Sequence, residues 1–246
     1  DINVLGIPLT ELCVNEFSNP KQRLLFKNLG YVGVLASILE MDKDIYITLI
    51  NEQFKGKEKL IEPNVKALEI GYSYAEENFK GLCDIKVNKS DKTEGLILTS
   101  GNDAAGLGCV YGGATFCAWY PITPSTSLAE SYSNYSEKLR IEIGTDKNKF
   151  AFIQAEDELA AIGMTIGANW NGARGFTATS GPGISLMSEF IGLAYFAEVP
   201  SVIFDVQRGG PSTGMPTRTQ QSDLLACAYA SHGDTKHVLL IPSDPK

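Results

Sequence analysis

Apolar positions in the first eighty residues recur at helical steps. From Lys21 onward, Leu24, Leu25, Leu29, Val32, Leu35, Ala36 and Leu39 fall three or four residues apart and trace one helix face. Comparable patterns predict helices over Asp44–Phe54 and Pro63–Phe79, with Pro63 in a first turn, where its missing N–H would be unpaired anyway. Asn3–Ile7 is a short strand candidate closed by Pro8. The pattern then breaks into a polar, mixed-charge stretch over 80–92 that reads as a linker. We place the linker at 81–93, between a mostly helical domain over 1–80 and a second domain over 94–246.

Beyond the linker, continuous apolar runs alternate with helical patterns. Gly95–Ser100, Thr115–Trp119, Phe150–Gln154, Gly175–Thr179, Ser201–Val206 and Val238–Ile241 are strand candidates. Helices are expected over Asp103–Gly113, from the third run to about Asn169, and over Ile184–Phe196. Strands apolar throughout and alternating with helices imply an α/β fold, a doubly wound and mostly parallel sheet covered on both faces. Both ends read as cut. The first domain opens mid-architecture, and the last run passes into Pro-Ser-Asp-Pro-Lys without a covering helix, as expected for a segment of a longer polypeptide.

Composition narrows the function. A chain of 246 residues holds one large or two small domains, and the net charge of −8 argues against a nucleic-acid partner. No apolar run reaches the roughly 18 residues needed to cross a bilayer. Cys13, Cys83, Cys109, Cys117 and Cys227 are scattered without a Cys-x-x-Cys pair, which reads as reduced cytosolic thiols rather than a zinc or iron–sulfur site. His232 and His237 have no obvious third ligand nearby and read as loop or surface histidines, so no metal is expected on this chain.

The candidate chemistry lies where apolar runs end. Glu156, Asp157 and Glu158 follow the third run; helix-start electrostatics explains two of the three, and one is expected to face a ligand crevice. Thr179-Ser-Gly-Pro-Gly183 opens a helix that could cradle a phosphate. However, no Gly-x-Gly-x-x-Gly follows any strand, no Walker lysine exists, and Gly101, Gly106 and Gly108 are wrongly spaced for a dinucleotide. Arg208 is either a surface arginine or a carboxylate clamp, for which guanidinium geometry is suited. Tyr120-Pro-Ile-Thr-Pro124 is either a rigid turn or a device aiming the Thr123 hydroxyl.

Four blocks in this order, Tyr120–Ser125, Gln154–Glu158, Thr179–Gly183 and Asp205–Gly214, resemble the pyrimidine-binding domain in the alpha subunit of the 2-oxoacid:ferredoxin oxidoreductases. Residues 1–79 are similar to the C-terminal part of that family's gamma region, as in members where gamma and alpha are fused. The resemblance implies a thiamine diphosphate site shared with a beta subunit. In it, Glu156, with Glu158 the alternative, hydrogen-bonds N1′ of the aminopyrimidine, and Tyr120, Pro121, Ile122, Thr179, Ser180 and Gly181 line the cofactor. It further implies that Arg208 and Thr123 hold the substrate carboxylate and that Arg218 meets a second one, favouring 2-oxoglutarate or a broad range of 2-oxoacids. Mg²⁺ and [4Fe-4S] clusters would sit in the beta subunit, with ferredoxin and coenzyme A as further partners, and this chain would be inactive alone. Two other readings stay open: a non-catalytic assembly module of the same fold, and a thiamine enzyme of transketolase or acetolactate-synthase type.

Overall fold

The computed structural model describes residues 4–145, 147–214 and 218–245, and the chain divides into two units, Asp1–Leu96 and Ile97–Lys246. The first is helical: α1 (Leu9–Glu16), α2 (Pro20–Ile38), α3 (Lys43–Gln53) and α4 (Ile61–Asn78), with a 3-10 turn at Glu58–Leu60. Asn19 starts α2, its side chain accepting from the Lys21 N–H at 2.9 Å, with Pro20 at the first helical position. Asp42 caps α3 in the same way at 3.0 Å. Helices α2 and α4 pack backbone to backbone: a methyl on Gly33 would strike the Leu68 carbonyl, and one on Gly71 the Gly30 carbonyl. The strand expected over Asn3–Ile7 does not form. Asn3 lies outside the described residues, and residues 4–7 are irregular. Leu5 and Ile7 instead pack on Val34, Ala75 and Phe79, so the apolar run is used for burial without a neighbouring strand to pair with.

The second unit contains α5 (Gly101–Tyr111), β1 (Phe116–Trp119), α6 (Thr126–Leu139), β2 (Ala151–Gln154), α7 (Glu158–Trp170), β3 (Gly175–Thr179), α8 (Gly181–Phe196), β4 (Val202–Asp205) and α9 (Leu224–Tyr229). The strands form one parallel sheet of order β2-β1-β3-β4. On one face, Val110 of α5 and Leu128, Ala129 and Tyr132 of α6 bury against Cys117, Trp119, Phe176 and Ala178. Tyr132 is fully buried; its hydroxyl donates to the Ala114 carbonyl at 3.1 Å and its ring meets Phe176 edge-on at 4.9 Å. On the other face, Ile162 and Ile166 of α7 pack with Met187 and Ile191 of α8, and Ile203 of β4 lies against them. The unit is the doubly wound parallel α/β fold that the alternation implied.

Two of the expected strands are absent. Gly95–Ser100 and Val238–Ile241 are irregular, with Leu98 at 104%, Val238 at 87% and Leu240 at 85% exposure, and neither run has joined the sheet. Helices α1, α6 and α9 were not foreseen. Helix α6 is rich in serine and tyrosine, yet Leu128, Tyr132, Tyr135 and Leu139 lie at four-, three- and four-residue steps along it. Among the described residues, no helix is long and apolar enough to cross a membrane.

Candidate functional site

Strand order fixes where a ligand can sit. After β1 the chain builds β2 on one side, then crosses to build β3 on the other, so the loops leaving β1 and β3 diverge. In open α/β sheets this switch point leaves a crevice outside the carboxyl ends of the strands. Tyr120–Ser125 leaves β1 and Thr179–Gly183 leaves β3, flanking that crevice, while Glu156–Glu158 follows β2 and Arg208 follows β4. All four blocks thus share one end of the sheet.

The three acids separate sharply. Asp157 is the N-cap of α7, its Oδ1 accepting from the Ala160 N–H at 2.6 Å. Glu158 is the first residue of α7 and only 8% exposed. Glu156 is exposed and makes no hydrogen bond or ion pair among the described residues. Gly183 closes over Glu158: a methyl there would lie 3.1 Å from Glu158 Cγ and would strike the Thr179 hydroxyl. The acid turned inward is therefore Glu158, the alternative in the sequence, and not Glu156.

At this end of the sheet, several buried polar atoms lack partners among the described residues. Thr179 Oγ1, Ser180 Oγ, Asp205 Oδ1 and Trp119 Nε1 are buried without a hydrogen bond at the carboxyl ends of β3, β4 and β1. Such groups are nearly always satisfied in folded proteins. With the Glu158 carboxyl next to Thr179, the two hydroxyls fit a bound group that offers both donors and acceptors, as an aminopyrimidine does. Among the described residues, no cluster of His, Cys, Asp or Glu could hold a metal ion.

Arg208 is 4% exposed. Its Nη1 donates to the Thr123 carbonyl at 3.0 Å across 85 residues, and its Nη2 donates to Ser212 Oγ at 3.3 Å. The fold thus brings Thr123 and Arg208 together, but through the Thr123 carbonyl. Thr123 itself is exposed, as is Pro121, whereas Tyr120 is half-buried and Ile122 buried. The chain then folds back: Arg208 bridges to Thr219, and the Gly209 N–H donates to the Arg218 carbonyl at 3.3 Å. Arg218 is thereby drawn beside Arg208 and is exposed.

Asp223 carried no signal in the sequence. It is 6% exposed, accepts from the Arg208 N–H at 3.0 Å, and lies so close to Gly181 that a methyl there would strike its carboxylate. The start of α8 therefore has a carboxylate of the chain itself where a phosphate would sit, which removes the phosphate-cradle reading of Thr179–Gly183. Gln207 returns the contact, its Oε1 accepting from the backbone N–H groups of Ser222 at 3.1 Å and Asp223 at 3.4 Å. Nearby, Cys227 Sγ donates to Asp205 Oδ2 at 3.2 Å. Burial, with the Asp223 charge adding to it, pushes the Asp205 carboxyl up to about 6. Burial and then the Asp205 charge push the Cys227 thiol up to about 12.

A parallel α/β unit with a buried acid and unsatisfied hydroxyls at its switch point is a ligand-binding domain of the doubly wound class. Residues 107–246 match the family described as pyruvate flavodoxin/ferredoxin oxidoreductase, thiamine diphosphate-binding, and residues 1–74 match the family described as pyruvate ferredoxin/flavodoxin oxidoreductase. The chain belongs to the pyruvate ferredoxin/flavodoxin oxidoreductase family. It is 38% identical over 98% of its length to 2-oxoacid:ferredoxin oxidoreductase 2, subunit alpha, of Aeropyrum pernix, covering 39% of that protein. It is 50% identical over 58% of its length to the 2-oxoglutarate synthase subunit KorA of Methanothermobacter marburgensis, covering 36% of it. A solved 2-oxoglutarate:ferredoxin oxidoreductase from Magnetococcus marinus, with 2-oxoglutarate, coenzyme A and succinyl-CoA bound, superposes with a TM-score of 0.69 at 34% identity, over 94% of this chain and 38% of that one. The chain thus spans well under half the length of these relatives. The match favours the ferredoxin-linked family over transketolase or acetolactate-synthase types.

Proposed function

We propose that this chain contributes the pyrimidine-binding half of a thiamine diphosphate site in a 2-oxoacid:ferredoxin oxidoreductase, acting on 2-oxoglutarate or a broad set of 2-oxoacids. The observation that carries this is the buried Glu158 carboxyl, enclosed by Gly183 and Thr179 beside unpartnered hydroxyls at the switch point. When bound, thiamine diphosphate supplies the nucleophilic carbon that makes decarboxylation possible. Glu158, in the role first given to Glu156, would hold a proton in a hydrogen bond to N1′ of the aminopyrimidine, a task suited to a carboxyl shielded from water. Thr179, Ser180 and Gly181 would flank the ring on one side, and Tyr120, Pro121 and Ile122 on the other.

Arg208 would bind the 2-oxoacid carboxylate. Its hydrogen bonds to Thr123 and Ser212 orient the guanidinium. Arg218, exposed beside it, suits the second carboxylate of 2-oxoglutarate. The relative named 2-oxoglutarate synthase and the solved neighbour with 2-oxoglutarate bound support that choice. Residues 1–80 would form part of a gamma-like domain and 81–93 the linker. A beta subunit would hold the diphosphate with Mg²⁺ and the [4Fe-4S] clusters, passing electrons to ferredoxin while coenzyme A takes the acyl group; the subunit naming of the relatives supports a partner.

The test is anaerobic viologen reduction by the assembled complex, supplied with thiamine diphosphate, Mg²⁺, coenzyme A and a panel of 2-oxoacids. Arg208→Lys replaces a planar fork by a point charge and is expected to raise KM for the preferred 2-oxoacid by about 10–100-fold. An unchanged KM would remove the clamp. No turnover by a fully assembled, cluster-loaded complex would favour the non-catalytic assembly module.

A further inference from the structure

We infer that Asn102 is a positioning residue for the 2-oxoacid end of the site, fixing through the Thr123–Pro124 turn the direction in which Arg208 points. The inference rests on the reading of Arg208 as the carboxylate clamp. Asn102 Nδ2 donates to the Pro124 carbonyl at 2.9 Å and to Ser127 Oγ at 2.7 Å. Arg208 Nη1 donates to the carbonyl immediately before, that of Thr123. Two consecutive carbonyls of one turn are thus held by side chains from separate elements, α5 and the loop after β4. The turn lies beyond the end of β1 and draws no ladder hydrogen bonds from the sheet. Its position is set by such contacts, together with the Ile122 N–H to Thr126 Oγ1 bond at 3.1 Å.

Asn102 is itself rigidly carried. Ser100 and Asp103 form a capping box over the first turn of α5, and Asp103 also accepts from Ser131 Oγ on α6. Because Ser100 already caps the helix, Asn102 is not needed to start it. What its position supplies is a side-chain NH₂ with two donors aimed at two acceptors; an aspartate has none and a serine one. Losing the Pro124 contact would let the turn shift and take with it the carbonyl that orients Arg208. Substrate carboxylate binding should suffer first, ahead of folding or later chemistry.

The experiment compares Asn102→Asp, Asn102→Ala, Ser127→Ala and Arg208→Lys in the assembled full-length complex. Asn102→Asp sets an acceptor against the Pro124 carbonyl. It is expected to raise KM for the 2-oxoacid about tenfold, equivalent to ~1.4 kcal/mol. The turnover number should stay within about threefold, with KM for coenzyme A and the thermal midpoint unchanged, as expected when binding alone is lost. Asn102→Ala should show a smaller rise, and Ser127→Ala, which keeps the Pro124 contact, almost none. If Asn102→Asp fails to assemble, Asn102→Ala decides on the same KM criterion. An unchanged KM in the Asn102 variants, with Arg208→Lys impaired, overturns the inference alone. So does a loss of thermal stability without a KM change, which marks a structural brace. An unimpaired Arg208→Lys brings down the clamp reading and this inference with it.

Discussion

At the scale of single residues, burial decides the chemistry, and burial is what spacing along the chain reveals least. Glu156 and Glu158 are equally plausible at the end of an apolar run. Glu158 is selected only because Gly183 and Thr179, on other elements, close over it. Arg208 could be singled out from its strand-end position, whereas Asp223 lies in a polar stretch, and only the fold folds it under α8. Asp205 yields a pH prediction. Its pKa of about 6 in the fold exceeds the ordinary carboxyl value of 3.8, so the native state binds the proton more tightly than the unfolded chain. Stability should therefore fall as pH rises from about 4 through 6. Asp205→Asn, which keeps an acceptor for Cys227, should melt higher than wild type at pH 8, and the gap should close by pH 4. A pH-independent gap would refute the shift. The thiols of Cys109 and Cys227 are likewise pushed up to about 12 from 9.0, mainly by burial, leaving about a thousandfold less thiolate. Iodoacetamide at pH 8 should label both slowly in the native protein and fully in urea; equal rates in both conditions would contradict this.

At the scale of elements, β1 to β4 were legible because strands covered on both faces read as continuous apolar runs; β3 forms at Gly175–Thr179 as expected. The same signal misled at Gly95–Ser100 and Val238–Ile241, since an apolar run shows β-propensity without naming a neighbour. Helix α6 escaped notice because its serines dilute the apolar stripe that Leu128 and Tyr132 bury. Close packing at the start of α8 gives a paired prediction. Gly183→Ala would force a methyl into Thr179 and Glu158 and should destabilise by about 1–3 kcal/mol. Gly167 in α7 is exposed with open space around it, so Gly167→Ala should stabilise by about 0.5–1 kcal/mol. Urea unfolding of both variants checks this, and a neutral Gly183→Ala would show that the enclosure of Glu158 is loose.

At the scale of the whole molecule, strand order 2-1-3-4 turns four separated blocks into one site, because it sets the loops after β1 and β3 on either side of a crevice. The alternation of elements made the sheet class legible, and the motifs made the family legible. What the order of residues left open is which side chains meet across the crevice, and that follows from packing alone. The chain covers 39% of its Aeropyrum relative. The decisive measurement is the rate of proton–deuterium exchange at the thiazolium C2 of thiamine diphosphate bound to the assembled complex, in wild type, Glu158→Gln and Glu156→Gln. Exchange should slow by about 10²–10⁴-fold in Glu158→Gln and stay near wild type in Glu156→Gln. The opposite order, or full exchange in both variants, would contradict a site organised around the buried Glu158.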